Sequence, residues 1–290
     1  MRLLIVCQAV DADHSNLAFF LKWIEAFASH VEEVTVIANE VGRYSLPNNV
    51  TVIGLGKEMG SMRLARYVKF LSLIVWFSSR YDVVFCHMNP EFVIAGSWWW
   101  RVARKKICFW YMHKSVTFRL RVAEKLAQVI VTASPESFRL PSKKLHVVGH
   151  GIDTDTFRPD PSIVRGTHAL SVGRLNKSKR HDKAIDMAAR LGVDLRIAGE
   201  GPEKEALMNY AESKKVKVTF LGGLTHTKLR DEYLRAGFLI HTSETGSLDK
   251  VLLEAVACGT PIKTEYDVYT KYEPQSYKVL IPKIIALCTK

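Results

Sequence analysis

The stretch Ala169-Leu-Ser-Val-Gly-Arg-Leu-Asn-Lys-Ser-Lys179 joins an apolar run, a glycine and three cations within eleven residues. The apolar run predicts a short strand, Ala169–Val172, that leads into Gly173, and the spacing after the cations predicts a helix over Lys183–Leu191. This alternation of strand and helix then repeats along the chain. We predict further strands at Leu195–Ala198, Val218–Leu221 and Phe238–His241, and helices at Glu203–Lys214, Thr227–Ala236 and Leu248–Ala257. Because each crossover between parallel strands lays a helix on the sheet, this half of the chain predicts a doubly wound parallel sheet.

The first half of the chain shows the same alternation of apolar strands and amphipathic helices. We predict strands at Leu3–Cys7, Val34–Ala38, Val50–Leu55, Asp82–His87, Ile107–Tyr111, Val129–Ala133 and Leu145–Val148, and helices at Leu17–Phe27 and Leu64–Phe77. Two prolines in Arg158-Pro-Asp-Pro-Ser162 favour an extended break. The sequence therefore predicts an α/β protein with two Rossmann-like domains, residues 1–158 and 168–290, joined by a linker over 159–167 and facing a cleft where ligands bind beyond the strand ends.

Composition and charge limit the classes of protein to consider. The chain has 290 residues, of which 48% are apolar and 24% charged, so wholesale disorder is excluded. The formal net charge of +12 favours anionic partners: nucleic acid, an acidic membrane or a phosphorylated ligand. Five scattered cysteines suit neither a disulfide framework nor a zinc site. The apolar run over residues 70–77 is too short to span a bilayer, and no secretory signal opens the chain, so we expect a cytoplasmic protein.

The cations after the predicted strand at 169–172 suit a phosphorylated ligand. Gly173 is followed by Arg174, Lys177 and Lys179, just before a helix whose first amides are partly positive. A forked guanidinium, a compact ammonium and a helix N-terminus together fit a diphosphate. A solvated basic turn would have the same composition, so this stretch alone leaves both interpretations open.

Two later segments also lie where predicted strands lead into helices. The glycines of Gly199-Glu-Gly-Pro202 would let backbone approach a ligand, and the proline suits a first helical turn. Ser247 is a suitable N-cap, which would point the amides of residues 246–249 toward the cleft. Glu254 lies one turn beyond Lys250. Its carboxylate either accepts both hydroxyls of a ribose or forms a weak helical pair with Lys250.

In order and spacing these segments resemble the retaining glycosyltransferases of family four, which have the GT-B fold. Arg174 and Lys179 match the family's G-R-x4-K element, which holds the donor diphosphate, and Gly199–Pro202 matches its G-[DE]-G-P loop beside the nucleotide. Residues 254–261 match E-A-x-A-C-G-x-P, in which the glutamate binds the ribose. His150-Gly-Ile-Asp153, followed by Phe157, is similar to the family's N-G-[VI]-D…F junction.

The sequence also departs from the pattern of that family. The first glutamate of the family's E-x7-E pair is replaced by Gly246, within Gly-Ser-Leu-Asp-Lys250. The sugar contact would then come from Glu244, Asp249 or backbone amides. The resemblance implies a donor site that includes Gly173, Gly199, Gly201, Gly246, Ser247, Leu248, Asp249, Lys250 and Glu254, with catalytic roles for Arg174, Lys179 and His113. Family members usually have two more helices after the proline, the last crossing back to the first domain, so a shortened C-terminus is expected here.

Candidates in the first half come from predicted strand ends. His113 follows a strand where the family often has a histidine that faces the transferred sugar. His87 is a secondary candidate on the same logic. Asp11, Asp13 and His14 follow the first strand and would contact acceptor hydroxyls. Structural histidines and solvated loop carboxylates are the alternatives.

A basic tract over residues 101–125 contains eight Lys/Arg against one Glu, and Trp98-Trp-Trp100 precedes it. A second basic amphipathic stripe lies over residues 63–70. Aromatic residues beside cations suit a membrane interface with anionic lipid, and therefore a lipid-linked acceptor. Solvated helix faces with core aromatics would give the same pattern.

The predicted function is transfer of a hexose-type sugar from a nucleotide-sugar donor to a glycan or lipid-linked acceptor, with retention of configuration and with no metal or other cofactor. We expect a cytoplasmic enzyme of cell-envelope polysaccharide synthesis, peripheral at the inner face of the membrane, without nucleic acid. Three alternatives stay open: a catalytically impaired relic that binds sugar nucleotides, a basic nucleic-acid-binding protein, and another GT-B enzyme such as a sugar-nucleotide epimerase.

Overall fold

A computed structural model describes residues 1–14, 17–244, 248–264 and 273–289. The chain divides into two compact units. Unit 1 contains Met1–Gly149 and Tyr277–Lys290, and unit 2 contains His150–Ser276. Each unit is built on its own parallel sheet, so the prediction of two α/β domains is confirmed, although the boundaries differ.

The sheet of unit 1 is formed by the strands β1 (Arg2–Val10), β2 (Glu33–Val41), β3 (Val50–Gly54), β4 (Val83–His87), β5 (Lys106–Trp110), β6 (Val129–Thr132) and β7 (Leu145–Val147). Their spatial order is β3-β2-β1-β4-β5-β6-β7, and all neighbours are parallel. Helices cover both faces, which is why β1 and β4 read as nearly continuous apolar runs.

Four helices connect these strands: α1 (Phe20–Ala28), α2 (Arg63–Trp76), α3 (Pro90–Val102) and α4 (Phe118–Leu126). Helix α1 packs on the Phe85 face of the sheet, where the Phe27 and Phe85 rings lie 4.9 Å apart. Helices α2, α3 and α4 cover the other face with one shared core that includes Phe70 and Trp100. These three helices therefore form a single layer over one side of unit 1.

Unit 2 contains the strands β8 (Gly151–Ile152), β9 (Ala169–Val172), β10 (Leu195–Ala198), β11 (Val218–Gly222), β12 (Phe238–His241), β13 (Ile262–Thr264) and β14 (Gln275–Ser276). Its helices are α5 (His181–Leu191), α6 (Lys204–Ser213), α7 (His226–Arg235) and α8 (Lys250–Ala257). The main sheet has the parallel order β11-β10-β9-β12-β13. The direction of strand addition therefore reverses between β9 and β12, the place where open α/β sheets bind ligands.

The assignment of residues 168–290 to the second domain was wrong at its C-terminal end. Helix α9 (Tyr277–Thr289) belongs to unit 1, where it packs beside α1. The rings of Trp23 and Tyr277 lie 6.1 Å apart, and Leu280, Ile281 and Ile284 are buried. An apolar helix stripe needs an apolar partner, and α1 supplies one. A helix that follows residue 261 is thus present and packs on unit 1.

The predicted linker over 159–167, and the end of the first domain at 158, were also misplaced. The structure divides the chain at Gly149/His150, because His150 is buried and β8 pairs with β14 inside unit 2. The proline-containing stretch lies on unit 2 as well. There the Asp160 carboxylate is 2.9 Å from the Arg230 guanidinium. Two prolines exclude a helix but do not make a segment a linker.

Candidate functional site at the strand ends of unit 2

The loops that follow β9, β10 and β11 form one continuous surface. Gly173 N–H donates to the Ala198 carbonyl at 3.0 Å, Leu175 N–H to the Glu200 carbonyl at 2.8 Å, and Gly199 N–H to the Gly222 carbonyl at 2.8 Å. These hydrogen bonds join backbone to backbone across neighbouring loops. The three loops are therefore held rigidly at the carboxyl edge of the sheet.

Two glycines make this close approach possible. Gly199 has φ 146°, and a Cβ there would lie 1.9 Å from the Gly173 carbonyl oxygen. A Cβ at Gly201 would lie 2.3 Å from the Leu175 oxygen. The sequence predicted glycines that let backbone approach a ligand. What the structure shows is glycines that let one loop approach another, and their part in donor binding stays a prediction.

Arg174 and Lys179, five positions apart, have different environments. Arg174 is exposed, and within the described ranges no carboxylate forms an ion pair with its guanidinium. Lys179 is mostly buried: its stem passes over Gly173, and its ammonium is 2.6 Å from a carboxylate oxygen of Asp249. The Arg174 guanidinium is therefore open to solvent, whereas the Lys179 ammonium is already held by Asp249.

Asp249 accepts hydrogen bonds from two segments with a single oxygen. Its Oδ2 lies 2.6 Å from Lys179 Nζ and 2.9 Å from His241 Nε2. Burial raises the pKa of Asp249, but the His241 hydrogen bond and the Lys179 charge outweigh it and lower the pKa well below its usual value. Because the loops after β9 and β12 flank the reversal of strand order, this network lies at the predicted ligand position.

Sequence reasoning missed His241. It is the last residue of β12 and is 4% exposed. A polar residue that closes an otherwise apolar strand was the available signal, since carboxyl ends of parallel strands carry functional side chains. The burial of His181 was also not predicted. It begins α5, its Nδ1 lies 3.0 Å from Ser171 Oγ, and burial lowers its pKa to about 4.

Glu254 and Lys250 are oriented into the protein. Glu254 Oε1 is 3.7 Å from Lys250 Nζ, and Oε2 accepts from the Tyr233 hydroxyl at 3.2 Å. Burial lowers the pKa of Lys250, and the charge of Glu254 opposes this. His150, of the junction motif, has a pKa lowered to about 3 by burial and by the Lys250 charge. The helical pair is formed, and ribose binding by Glu254 stays a prediction.

Glu244 is one of the two carboxylates that the sequence offered in place of the glutamate missing at position 246. It pairs with Arg180 at 2.6 Å and with Lys183 at 2.8 Å. Asp249, the other, is held by Lys179 and His241. Gly246 and Ser247 lie outside the described residues, and Leu248 is buried.

Arg180 and Glu244 also line an open depression of about 580 Å³ on unit 2. Its other lining residues include Asn176, Lys177, Glu203 and Tyr210.

Polar candidates in unit 1 are engaged locally. His87 is 3% exposed and lies among the rings of Phe19, Phe20 and Trp23, with 4.1 Å between the His87 and Phe20 centroids. Strand β4 directs the ring into the core beneath α1, so its contact with a sugar stays a prediction. His113 is exposed and accepts from the Ser115 N–H at 3.1 Å.

The loop after β1 organises its own backbone. Asp11 Oδ1 accepts from the N–H of Asp13 at 3.0 Å and of Arg43 at 3.2 Å. Asp13 and Arg43 form an exposed ion pair at 2.7 Å, which lowers the pKa of Asp13. His14 Nδ1 accepts from the Leu17 N–H at 3.2 Å. Roles in acceptor binding stay predictions for these residues.

Metal binding was not expected from the sequence. Among the residues that the structure describes, no three His, Cys, Asp or Glu side chains are grouped as a metal site requires. Metal independence stays a prediction that chelation tests.

Part of the chain matches a known family model. Residues 153–265 match the model described as "Glycosyl transferases group 1". The phosphatidylinositol N-acetylglucosaminyltransferase gpi3 subunit of Schizosaccharomyces pombe is 30% identical over 126 residues, which cover 40% of this chain and 28% of that protein. The D-inositol 3-phosphate glycosyltransferase of Mycobacterium bovis is 30% identical over 166 residues, 49% of this chain and 34% of that protein. The alignments thus span about a third of these relatives.

Solved structures match the whole fold. HepE of Anabaena in complex with UDP-glucose has a TM-score of 0.72 at 16% identity, covering 99% of this chain and 89% of that one. Sucrose-phosphate synthase of Thermosynechococcus elongatus has a TM-score of 0.71 at 15% identity, covering 100% and 90%. The chain therefore has the GT-B type of fold, with two Rossmann-like parallel sheets, and its residues 153–265 are similar in sequence to the group 1 glycosyl transferases.

Proposed function

We propose that this chain transfers a hexose-type sugar from a nucleotide-sugar donor to a hydroxyl of a glycan or lipid-linked acceptor, with retention of anomeric configuration. The observation that carries the proposal is the network at the β9/β12 strand ends, where the Lys179 ammonium is fixed beside the loop into α8. Exposed Arg174 follows the same strand. Two cations next to rigid backbone suit a diphosphate. The match to group 1 glycosyl transferases supports this choice.

In the proposed reaction, the bond between the anomeric carbon and the diphosphate oxygen breaks, and its electron pair leaves with the diphosphate. The acceptor oxygen bonds to the anomeric carbon on the same face, and its proton passes to the departing diphosphate oxygen. No redox change occurs. Arg174 and Lys179 stabilise the negative charge that grows on the leaving group. His113 hydrogen-bonds the transferred sugar and is not required as a base.

Asp249 and His241 are positioning residues in this proposal. An ammonium has three N–H donors, so Lys179 donates one hydrogen bond to Asp249 and has two donors left for diphosphate oxygens. The hydrogen bond from His241 fixes the carboxylate and therefore the ammonium. Asp249→Asn keeps the size of the side chain but weakens its hold on Lys179. We expect a lower kcat with little loss of donor diphosphate binding, whereas a purely structural role would change only the unfolding midpoint.

In this proposal Glu254 binds the ribose of the donor, and a substitution at this position tests the contact. Glu254→Gln keeps the volume and the hydrogen bond to Tyr233 but removes a charge. We expect nucleoside diphosphate binding to weaken by about tenfold, as is usual for the loss of a charge-assisted hydrogen bond, measured by calorimetry. Unchanged affinity would make Glu254 a core partner of Lys250 and move the ribose site elsewhere.

Nucleotide preference and turnover decide between this proposal and its alternatives. Uridine, guanosine and adenosine diphosphates are compared by thermal shift, and release of the diphosphate from the matching sugar nucleotides is then measured with and without EDTA. We expect one nucleotide to stabilise the protein and turnover to resist EDTA. Binding without turnover would indicate the relic, and epimerised donor an epimerase. Oligonucleotide binding that falls steeply with salt, with no response to any nucleotide, would indicate the nucleic-acid alternative.

A further inference from the structure

We propose that the outer surface of the helix layer α2–α4 in unit 1 docks on an anionic lipid bilayer. This layer covers one face of the unit 1 sheet with its inner side. Its outer side combines exposed apolar residues with exposed cations such as Arg101 and Arg121. The proposal gives the lipid-linked acceptor of the proposed function a surface, but it rests on the geometry of this layer and not on catalysis.

Helix α2 has two apolar sides, and among the described residues only one of them has a partner. Phe70 and Ile74 are fully buried against the sheet. Leu64, Val68 and Val75 are 75%, 57% and 39% exposed. At 100° per residue these three fall within a stripe about 40° wide that points away from the buried side. An unpartnered apolar stripe of this kind is typical of a helix that contacts another apolar phase.

The rest of the layer also carries exposed apolar side chains. Trp76, at the end of α2, is 82% exposed. Trp98 and Val102, one turn apart on α3, are 53% and 73% exposed, and Phe118, which begins α4, is 80% exposed. Tryptophan is the side chain best suited to the level of lipid headgroups, because its ring is apolar and its N–H is polar. The layer therefore presents interfacial side chains from all three helices.

Charge selects the kind of membrane. Residues 63–126 contain twelve Lys/Arg and three Asp/Glu, which is nine of the formal net charge of +12. Arg63 and Arg119 share Glu91, whereas Arg101 and Arg121 are exposed on α3 and α4. Cations beside inserted apolar side chains bind anionic lipid more strongly than neutral lipid. The surface therefore fits a bilayer rich in acidic headgroups.

Other occupants fit this surface less well. A second copy of the chain would bring two layers of strong positive charge together, which is repulsive. A nucleic acid would meet the cations, but the stripe of Leu64, Val68 and Val75 offers neither a hydrogen-bond donor nor an aromatic face to it. Within the described residues, no helix is long and apolar enough to cross a membrane, so the contact proposed is peripheral.

The test is co-sedimentation of the purified chain with vesicles, one set of phosphatidylcholine and one of equal parts phosphatidylcholine and phosphatidylglycerol. We expect binding to the acidic vesicles that weakens with salt. The double variant Leu64→Gln/Val68→Gln should bind about tenfold more weakly, because two exposed apolar side chains no longer enter the bilayer. Val164→Gln is the matched control, because Val164 is 89% exposed in unit 2, and it should bind as wild type does.

A second pair of variants tests the role of charge. Arg101→Gln/Arg121→Gln should weaken binding to the acidic vesicles by about tenfold, in line with the effect of each cation near an anionic surface. Lys204→Gln/Lys228→Gln removes the same charge from unit 2 and should leave binding unchanged. All the exchanged side chains are exposed, and circular dichroism verifies that the variants fold.

Several results would overturn the proposal: no preference for acidic vesicles, or the α2 variant binding as well as Val164→Gln does. Dimerisation that Leu64→Gln/Val68→Gln abolishes would assign the surface to a second copy. Nanomolar oligonucleotide binding that the arginine variants abolish, without vesicle binding, would assign it to nucleic acid. Vesicle binding is measured without donor or turnover, so failure here leaves the proposed activity standing, and failure of that activity leaves the docking surface standing.

Discussion

The carboxyl edges of the two sheets follow strands of the same type but hold their polar side chains in different ways. In unit 2, Lys179, Asp249 and His241 come from three segments and meet at one carboxylate oxygen, with each side chain less than a fifth exposed. In unit 1, His14 and His113 each accept from an amide within their own loop, and His87 lies among aromatic rings. On the unit 2 edge the charges are held together away from solvent, whereas on the unit 1 edge ion pairs such as Asp13–Arg43 are exposed.

The difference supports the proposal that the unit 2 edge binds a charged ligand. Removing charges from water costs free energy that apolar packing would not cost, so buried ion networks are weak evidence of stability. Buried ion networks are therefore common where a fixed charge binds a ligand or takes part in a reaction. The unit 2 edge meets that description. Four predictions test the comparison.

The largest effect is expected for Lys179→Ala compared with Arg174→Ala. Both should reduce turnover about 10²–10³-fold, because each removes a cation from the leaving group. Only Lys179→Ala should also destabilise the protein, by about 1–3 kcal/mol, because it leaves the mostly buried Asp249 with one partner fewer. Diphosphate release and urea unfolding measure the two quantities. If Lys179→Ala unfolds more easily but turns over normally, the unit 2 network is structural, and the contrast with unit 1 loses its functional meaning.

Gly199→Ala should have the next largest effect, on stability. A Cβ there meets the Gly173 carbonyl oxygen at 1.9 Å, so the loops after β9 and β10 must separate. We expect a loss of about 2–4 kcal/mol by urea unfolding. Gly192→Ala is the control: Gly192 also has positive φ, 64°, but nothing lies within 4 Å of its Cβ position. That variant should lose only about 1 kcal/mol. Equal losses would show that backbone strain, not loop contact, sets the effect.

Acid should destabilise the protein through histidines of unit 2. Burial lowers the pKa of His181 to about 4 and that of His150, helped by the Lys250 charge, to about 3. Below pH 6.5 the unfolded chain therefore binds protons that the folded chain does not, and stability falls as the pH falls from 6.5 toward 4. Each histidine contributes at most about 1.4 kcal/mol per pH unit.

Unfolding midpoints across that pH range, for wild type and for His181→Asn, measure the slope independently of any uniform loss of stability. The variant should show the shallower slope. An unchanged slope would mean that His181 is not the group that titrates.

The smallest effect is expected at the unit 1 edge. Asp13→Asn removes an exposed ion pair with Arg43, and exposed pairs of this kind add little. The unfolding midpoint and the turnover should both be unchanged. A clear fall in turnover, with wild-type stability, would move Asp13 to the acceptor site and make the two edges more alike.

Strands were predicted more accurately than helices. Three strands of unit 2 have the predicted bounds, because a short apolar run between turns is typical of a buried strand. They are Ala169–Val172, Leu195–Ala198 and Phe238–His241. Helices α3 and α4 were not predicted. The Trp98–Trp100 run and the cations after it concealed the helical period, because both faces of these helices carry apolar or aromatic residues.

The candidate site was predictable in part. The cations after β9 and the loops after β10 and β12 were found by motif, since the residue order alone carries them. His241 was not found, because its partner, Asp249, is eight residues away and the contact exists only once β12 and α8 are packed. The burial of His87 was not foreseen, because a strand-end histidine points either to solvent or to the core, and only the position of α1 settles which.

The sequence by itself determined the parallel α/β class, the strand positions and the charged loops of unit 2, because these follow from local periodicity and from residue type. Only the tertiary structure decided where the units divide, that α9 belongs to unit 1, and which carboxylate holds Lys179. It also decided that α2 leaves one apolar stripe uncovered. Each of these depends on contacts between residues far apart in the chain, and no local pattern encodes such contacts.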